Sequence, residues 1–307
     1  MVAPNTQDRR TYMGSHDTAG VVGAHPNLSP SQVYMNKVGL SEGFVPTEQM
    51  RWGLLAQPII LDEFARRMKV ELEPERFFRH PSLPWFGGTP DATLVGRREG
   101  VDAKNVRYAS PDEWGEPGSA DVPEHIKLQA HHFMTLLDAD AWHIAAWVAG
   151  CELRVYTIER DPEMSDLILE VDGAFWRDHV EPRIPPPVDG TDACRRLLLR
   201  THPHAKAPLR LASPDEEGLL LRYAELDAAS KRAEEELEAV KNAIIAAVGD
   251  ARGIGGRAGK VTYTDTKGRS GFDADRLRAE HPGIAAAYEK TGQPGRKFNF
   301  TPAKEMK

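Results

Sequence analysis

Two kinds of apolar periodicity meet in this chain at a proline-rich stretch, and one regular fold cannot absorb both. Arg183 to Gly190 contains three consecutive prolines followed by Val-Asp-Gly, and Thr201 to Glu217 is again rich in Pro, Ser and charge. Such segments punctuate chains because proline fixes φ and removes a donor. Beyond them Leu219, Tyr223, Leu226, Ser230, Ala233, Leu237, Val240 and Ile244 follow spacings of four and three, the heptad stripe of a long helix, with KRAEEELEAVK outside. A length of 307 residues suits two units, since single domains mostly run to ~100–200 residues. We expect a first domain at 1–187, a linker at 188–214, and a C-terminal long helix with a small α+β module at 215–307. Ser230 and Ala233 weaken the middle of the stripe, so self-association and packing on its own domain both stay open.

Before the break, helical and strand periods alternate. A short helix is expected from Ser15 to Val22, and another opened by Ser29 or Ser31 with Pro30 in its first turn. From Pro46 a long amphipathic helix should turn Leu54, Leu55, Ile59, Phe64 and Met68 inward and Glu48, Asp62 and Arg66 outward, with Pro58 inside it. Val70 to Phe78, Thr93 to Val95 and Gly100 to Lys104 read as strands of a small central sheet. A helix follows at Pro123 to Leu137, then a hairpin of Trp142 to Val148 and Glu152 to Ile158 turned by Ala149-Gly150, then a helix from Met164 to His179. Near the end, GKVTYTDTKG, DADRLRAEHPGIAAAYEK and RKFNF read as hairpin, helix and strand, while Gly253 to Gly256 reads as a helix C-cap and turn.

Composition narrows the function classes. Charged residues are 28% and apolar ones 40%, ordinary for a folded water-soluble chain. The apolar stretch Ala141 to Cys151 is interrupted by His143 and far too short to span a bilayer, and Met1 to Arg10 has no apolar leader core. Cys151 and Cys194 stand without metal-site spacing, as do His131-His132 and His202/His204. A reducing, cytoplasmic setting is the expectation. A net charge of −7 argues against coating nucleic acid by bulk electrostatics, so any such contact must be local.

The chemistry-bearing constellation is Gly88-Thr89-Pro90-Asp91 followed by Asp102-Ala103-Lys104. In a strand, Asp102 and Lys104 share a face and Ala103 turns away. If Asp91 leaves the preceding turn toward that face, two carboxylates and one ammonium meet. Paired carboxylates repel unless a divalent cation neutralises them, and an all-oxygen pocket favours Mg²⁺ or Mn²⁺. Such a site suits phosphodiester hydrolysis, with Lys104 stabilising charge on phosphate or orienting water. Arg51, Arg97-Arg98 and Arg107 are candidate phosphate contacts, and Trp114, in a polar loop, is the tryptophan expected to touch DNA.

Several ordered motifs extend the pattern: Met13-Gly14-Ser15-His16-Asp17 with Ala19, Val21, Val22 and Gly23; Ser29-Pro30 and Tyr34 to Gly39; Trp52-Gly53 through Gln57-Pro58; Trp114-Gly115-Glu116 and Pro123; Gln129 to Phe133; Phe175-Trp176 and Pro185-Pro186. With Pro90-Asp91 and Asp102-Ala103-Lys104, the sequence resembles the YqaJ viral recombinase family, related to phage lambda exonuclease within the PD-(D/E)xK nuclease superfamily. The resemblance implies an α/β restriction-endonuclease-like core, a central mixed sheet flanked by helices. It implies Mg²⁺ or Mn²⁺ held by Asp91, Asp102 and the Ala103 carbonyl, with Lys104 catalytic and Gln129 positioning it or the attacking water. Arg9, Ser15 and His16 would lie near a DNA end. The implied activity is trimming of linear duplex DNA from a 5′ end, in a ring-shaped homo-oligomer (trimer or tetramer) that serves a single-strand annealing protein in phage-type recombination, inside the host cytoplasm. One departure stands out: Gln57 occupies the place of the family's metal-binding glutamate. It leaves open an impaired DNA-end-binding or regulatory protein of the same fold, and an endonuclease is a further alternative.

Overall fold

The computed structural model describes residues 8–41, 46–110, 112–205, 207–266, 268, 273–289 and 298–301. Two units divide at His202/Pro203. In the first, a 3₁₀ turn (Asp8–Thr11) precedes α1 (Asp17–Val21), α2 (Pro30–Val38), α3 (Glu48–Met68), β1 (Leu72–Pro74), β2 (Phe78–Arg79), β3 (Gly87–Gly88), β4 (Ala92–Leu94), β5 (Glu99–Val106), α4 (Glu124–Leu137), β6 (Ala141–Val148), β7 (Glu152–Glu159), α5 (Pro162–Phe175) and α6 (Asp192–Thr201). The five-stranded sheet has the order β1-β4-β5-β6-β7, parallel only between β5 and β6, the two strands that α4 connects. This is a mixed α/β architecture, as expected.

Local chemistry sets most boundaries. Ser29 caps α2 by accepting from the Gln32 N–H, with Pro30 in the first turn where its missing N–H is harmless. Thr47 caps α3 in the same way through the Met50 N–H. The β6–β7 hairpin turns on Ala149 and Gly150, both at positive φ (52° and 73°), with the Cys151 N–H returning to the Val148 carbonyl oxygen at 3.1 Å to close the tight turn.

Both faces of the sheet are covered. On one, Ala56, Ile60 and Phe64 of α3 meet Ala92, Leu94, Val101 and Ala145. On the other, Ile126, Ala130, Phe133 and Met134 of α4 and Ile168 of α5 pack on Trp142, Ile144 and Tyr156. Alternation along β6 sends Trp142, Ile144 and Ala146 to the α4 side and Ala145 to the α3 side. The inward face of α3 differs from expectation: Leu54 is 65% and Ile59 60% exposed, and Leu55 and Met68 are exposed too. Once Phe64 faces the sheet, four-residue steps bring Ile60 and Ala56 with it. Ile59, five residues back, is turned away by ~140° at 3.6 residues per turn.

The segment read as linker contains α6, capped by Thr191, with Ala193, Cys194 and Leu197 buried. Ala193 and Leu197 join Met13, Val33 and Met35 in one cluster. The three-and-four spacing of three small or apolar residues is enough to anchor a short helix.

In the second unit α7 (Pro214–Val248) starts with a capping box of Ser213 and Glu216. It is followed by β8 (Gly253–Gly256), β9 (Gly259–Thr262), α8 (Ala274–Glu280) and α9 (Pro282–Ala287). Gly253 to Gly256 is thus a strand rather than a helix cap. A side chain at Gly253 would bring Cβ 2.2 Å from the Val261 carbonyl oxygen, so glycine permits the close hairpin. No strand forms at 298–300. Instead Phe298 and Phe300 set their rings 5.2 and 4.9 Å from that of Tyr223. Val248 is the buried residue of α7 among the described residues.

Candidate active site

β5 is built to present one polar edge. Gly100, Asp102 and Lys104 share the α4 face by alternation. At Gly100 a Cβ would lie 2.2 Å from the Trp142 ring, so the start of this face is closed by indole and the polar pair comes next. Asp102 is 1% exposed, and Lys104 Nζ lies 3.5 Å from its Oδ2. The β4–β5 ladder reaches only Ala92↔Val101, and beyond it the Ala103 N–H donates to Asp91 Oδ2 at 2.8 Å. That bond pins the Asp91 carboxylate beside β5. Its loop is held close by packing, since a Cβ at Gly88 would stand 2.8 Å from the Phe133 ring.

From α4, Gln129 Oε1 accepts a 2.8 Å hydrogen bond from Lys104 Nζ. One turn on, His132 Nε2 lies 3.0 Å from the Gly87 carbonyl oxygen. That oxygen only accepts, so the imidazole carries its proton on Nε2. His132 Nδ1 faces Asp172 Oδ2 at 3.9 Å, and the same oxygen accepts from Thr18 at 2.9 Å. Burial holds the Asp172 carboxyl well above the usual carboxylate range and pushes His132 down to about 4. The imidazole is therefore neutral at pH 7. This buried prop under the Gly-Gly-Thr-Pro-Asp loop escaped the sequence reading; an aspartate between Ile168 and Phe175 on an otherwise apolar helix face was its one signal.

The electrostatics of the carboxylate pair invite a cation. Burial raises Asp91 to about 7 and the neighbouring Asp102 charge adds to this, while Lys104 and the Ala103 N–H pull the other way. Asp102 Oδ2 is buried without a hydrogen-bond partner. A buried carboxylate oxygen with no hydrogen-bond donor, only the Lys104 ammonium at 3.5 Å, beside a second carboxyl fits Mg²⁺ or Mn²⁺, which bind through one or two carboxylates and keep several waters. Among the described residues no three His, Cys, Asp or Glu side chains cluster together, so the protein side chains offered here are the two carboxylates.

The remaining expected residues divide. His16 lies at the rim: its ring keeps solvent access, yet surrounding protein desolvates it and, with Lys104, Arg9, His25 and His125, holds its pKa well below 6.5. Ser15 is buried with its hydroxyl 3.5 Å from His16 Nδ1. His25 and His125, both missed, stack edge-on at 5.4 Å and line a cleft of about 450 Å³. Gln57 is half-buried on α3 and makes no hydrogen bond to Asp91, Asp102 or Lys104. Arg51 is exposed on the same helix, 3.7 Å from Glu48, and Arg107 is exposed just past β5. Trp114, expected in a polar loop, is instead 6% exposed, in the core, with its ring 5.2 Å from Tyr156. The exposed tryptophan is Trp52, at 57%.

Residues 6–140 match the YqaJ-like viral recombinase domain. The chain is 24% identical over 201 residues to the uncharacterized protein YqaJ of Bacillus subtilis (strain 168), a match covering 64% of this chain. It spans about 61% of the length of that curated relative. Among solved structures it is similar to an alkaline exonuclease, LHK-Exo, of Laribacter hongkongensis, at 13% identity, 58% and 92% coverage of the two chains and TM-score 0.47. It is also similar to a putative exonuclease from Eubacterium rectale, at 13% identity, 68% and 97% coverage and TM-score 0.47. A phage related exonuclease from Haemophilus somnus 129PT gives 12% identity, 54% and 92% coverage and TM-score 0.43.

Proposed function

We propose that this chain, with its YqaJ-like domain, is a Mg²⁺- or Mn²⁺-dependent deoxyribonuclease with a PD-(D/E)xK core, trimming linear duplex DNA from 5′ ends in phage-type recombination. The observation that carries the reading is the meeting of Asp91, Asp102, Lys104 and Gln129 beside the central strand β5. Asp91, Asp102 and the Ala103 carbonyl would hold the cation. When bound, it supplies Lewis-acid charge to a phosphate oxygen and makes water more acidic.

The chain's own groups do the rest. Gln129 takes one of the three Lys104 N–H groups and fixes the ammonium's direction. The remaining donors of Lys104 can stabilise charge growing on phosphate or orient the attacking water. Arg9, Ser15 and His16 would lie near the DNA end, a role supported by the exposure of His16 and Arg9. The overall charge of −7 is compatible with this reading if a ring of copies turns a basic lining inward and hands single strands to an annealing protein.

The test is nucleotide release from linear duplex, labelled at either end, against covalently closed circles. We expect Mn²⁺-dependent release from 5′ ends, intact circles, and loss of cutting in Asp91→Ala, Asp102→Ala and Lys104→Ala. Cut circles would make it an endonuclease. Tight binding of DNA ends without any release would favour the non-catalytic reading that Gln57 suggests, and a fully active Lys104→Ala would overturn the site.

A further inference from the structure

The heptad stripe of α7 is unpartnered along most of its length. Leu219 is 72%, Leu226 53%, Leu237 69% and Val240 57% exposed. Tyr223 alone in the stripe has ring partners, Phe298 and Phe300, among the described residues. Among the described residues the seam is open from Leu226 to Val240, and Ile244 is half-buried. Apolar residues spaced four and three on a 35-residue helix suit a second helix rather than solvent.

The flanking charges say which helix. With Tyr223, Ser230, Leu237 and Ile244 at the a positions, Arg222 and Glu236 fall at g, and Asp227 and Lys241 at e. In a parallel, in-register pair each g residue faces the e residue five positions on in the other strand. Arg222 then faces Asp227, and Glu236 faces Lys241, each twice by symmetry. An antiparallel pair that keeps the a-to-d layers would instead oppose Asp227 to Glu234, a like-charge contact. We propose that α7 pairs with α7 of a second copy of this chain as a parallel, in-register, two-stranded coiled coil.

Two strands follow from the narrow seam, because between Arg222 and Ala243 the flanking e and g positions are charged or alanine, and Leu220 and Val248 widen it only at the ends. The present partners of these charges are exposed neighbours on the same helix, Glu225 for Arg222, Lys231 for Asp227 and Glu238 for Lys241. Such exposed pairs contribute little and do not compete strongly. Ser230 and Ala233 thin the central layers, so association depends on concentration. This pairing does not rest on the nuclease reading.

The experiment uses the full chain. In a Cys151→Ser background, which removes the exposed thiol and leaves buried Cys194, Val240→Cys at a d position should form a covalent dimer under mild oxidation. Glu235→Cys, on the outer face, should not. Lys241→Glu should weaken pairing about threefold or more by sedimentation equilibrium, from loss of two exposed ion pairs. Adding Glu236→Lys should restore it. Equal cross-linking of the two cysteine variants, no cross-link at Val240→Cys, or no restoration by the charge exchange would each overturn the proposal. Because cross-linking reports local contact, association through the first unit does not imitate it.

Discussion

Adding Mn²⁺ to the metal-free protein should raise its thermal midpoint, and the rise should be larger at pH 8 than at pH 6. Asp91 ionises near 7 in the folded chain, held there by burial and by Asp102, whereas an unfolded aspartate ionises at about 3.9. The folded value is the higher, so the contribution to stability is intact below about pH 3.9 and shrinks as pH rises toward 7. The slope is ~1.4 kcal/mol per pH unit, and the loss is constant above 7. Asp91 is only half-buried, and solvent screening reduces the total to ~1–3 kcal/mol. A cation at 100 times its dissociation constant stabilises by ~2.7 kcal/mol. For a unit the size of Met1–His202, that is a shift of ~5–11 °C. At pH 6 a proton competes for Asp91 and removes up to ~1.4 kcal/mol of the gain. Scanning calorimetry with Mn²⁺ or EDTA, on wild type, Asp91→Asn and Asp102→Asn, reads this directly. An undiminished Mn²⁺ shift in Asp102→Asn, or a larger shift at pH 6 than at pH 8, would refute the cation cradle.

Three further outcomes can be measured. Gln57→Glu should increase Mg²⁺-dependent cleavage of linear duplex by restoring the charge missing from α3, and an unchanged or lower rate removes that argument. Asp172→Asn should be more stable than wild type at pH 8, with the difference shrinking toward pH 4. Burial raises the Asp172 pKa, so wild type loses stability as pH rises, whereas the amide keeps the Thr18 hydrogen bond without a charge; denaturant titrations giving a pH-independent difference would contradict this raised pKa. Gly100→Ala should destabilise by ~1–3 kcal/mol or more in thermal unfolding, because its Cβ would stand 2.2 Å from the Trp142 ring, and a neutral substitution would mean that the strand shifts freely.

Short-range regularities made much of this protein legible in its sequence. Asp102 and Lys104 share a face because strand alternation needs no tertiary information, and the Ala149-Gly150 turn and the capped starts of α2 and α7 follow from φ preferences and hydroxyl capping alone. The convergence of Asp91 on that face was foreseeable only because a turn and a strand lie a few residues apart. What tertiary structure decided involves partners far apart in the chain. Ile60 rather than Ile59 faces the sheet because Phe64 is already committed there, and Trp114 is core because Tyr156 lies beneath it. The buried prop joins Thr18 to Asp172 across 154 positions and His132 to Gly87 across 45. A segment's own periodicity records that it has a buried side, but the direction of burial is a property of the surfaces that meet, and those exist only once the chain has folded.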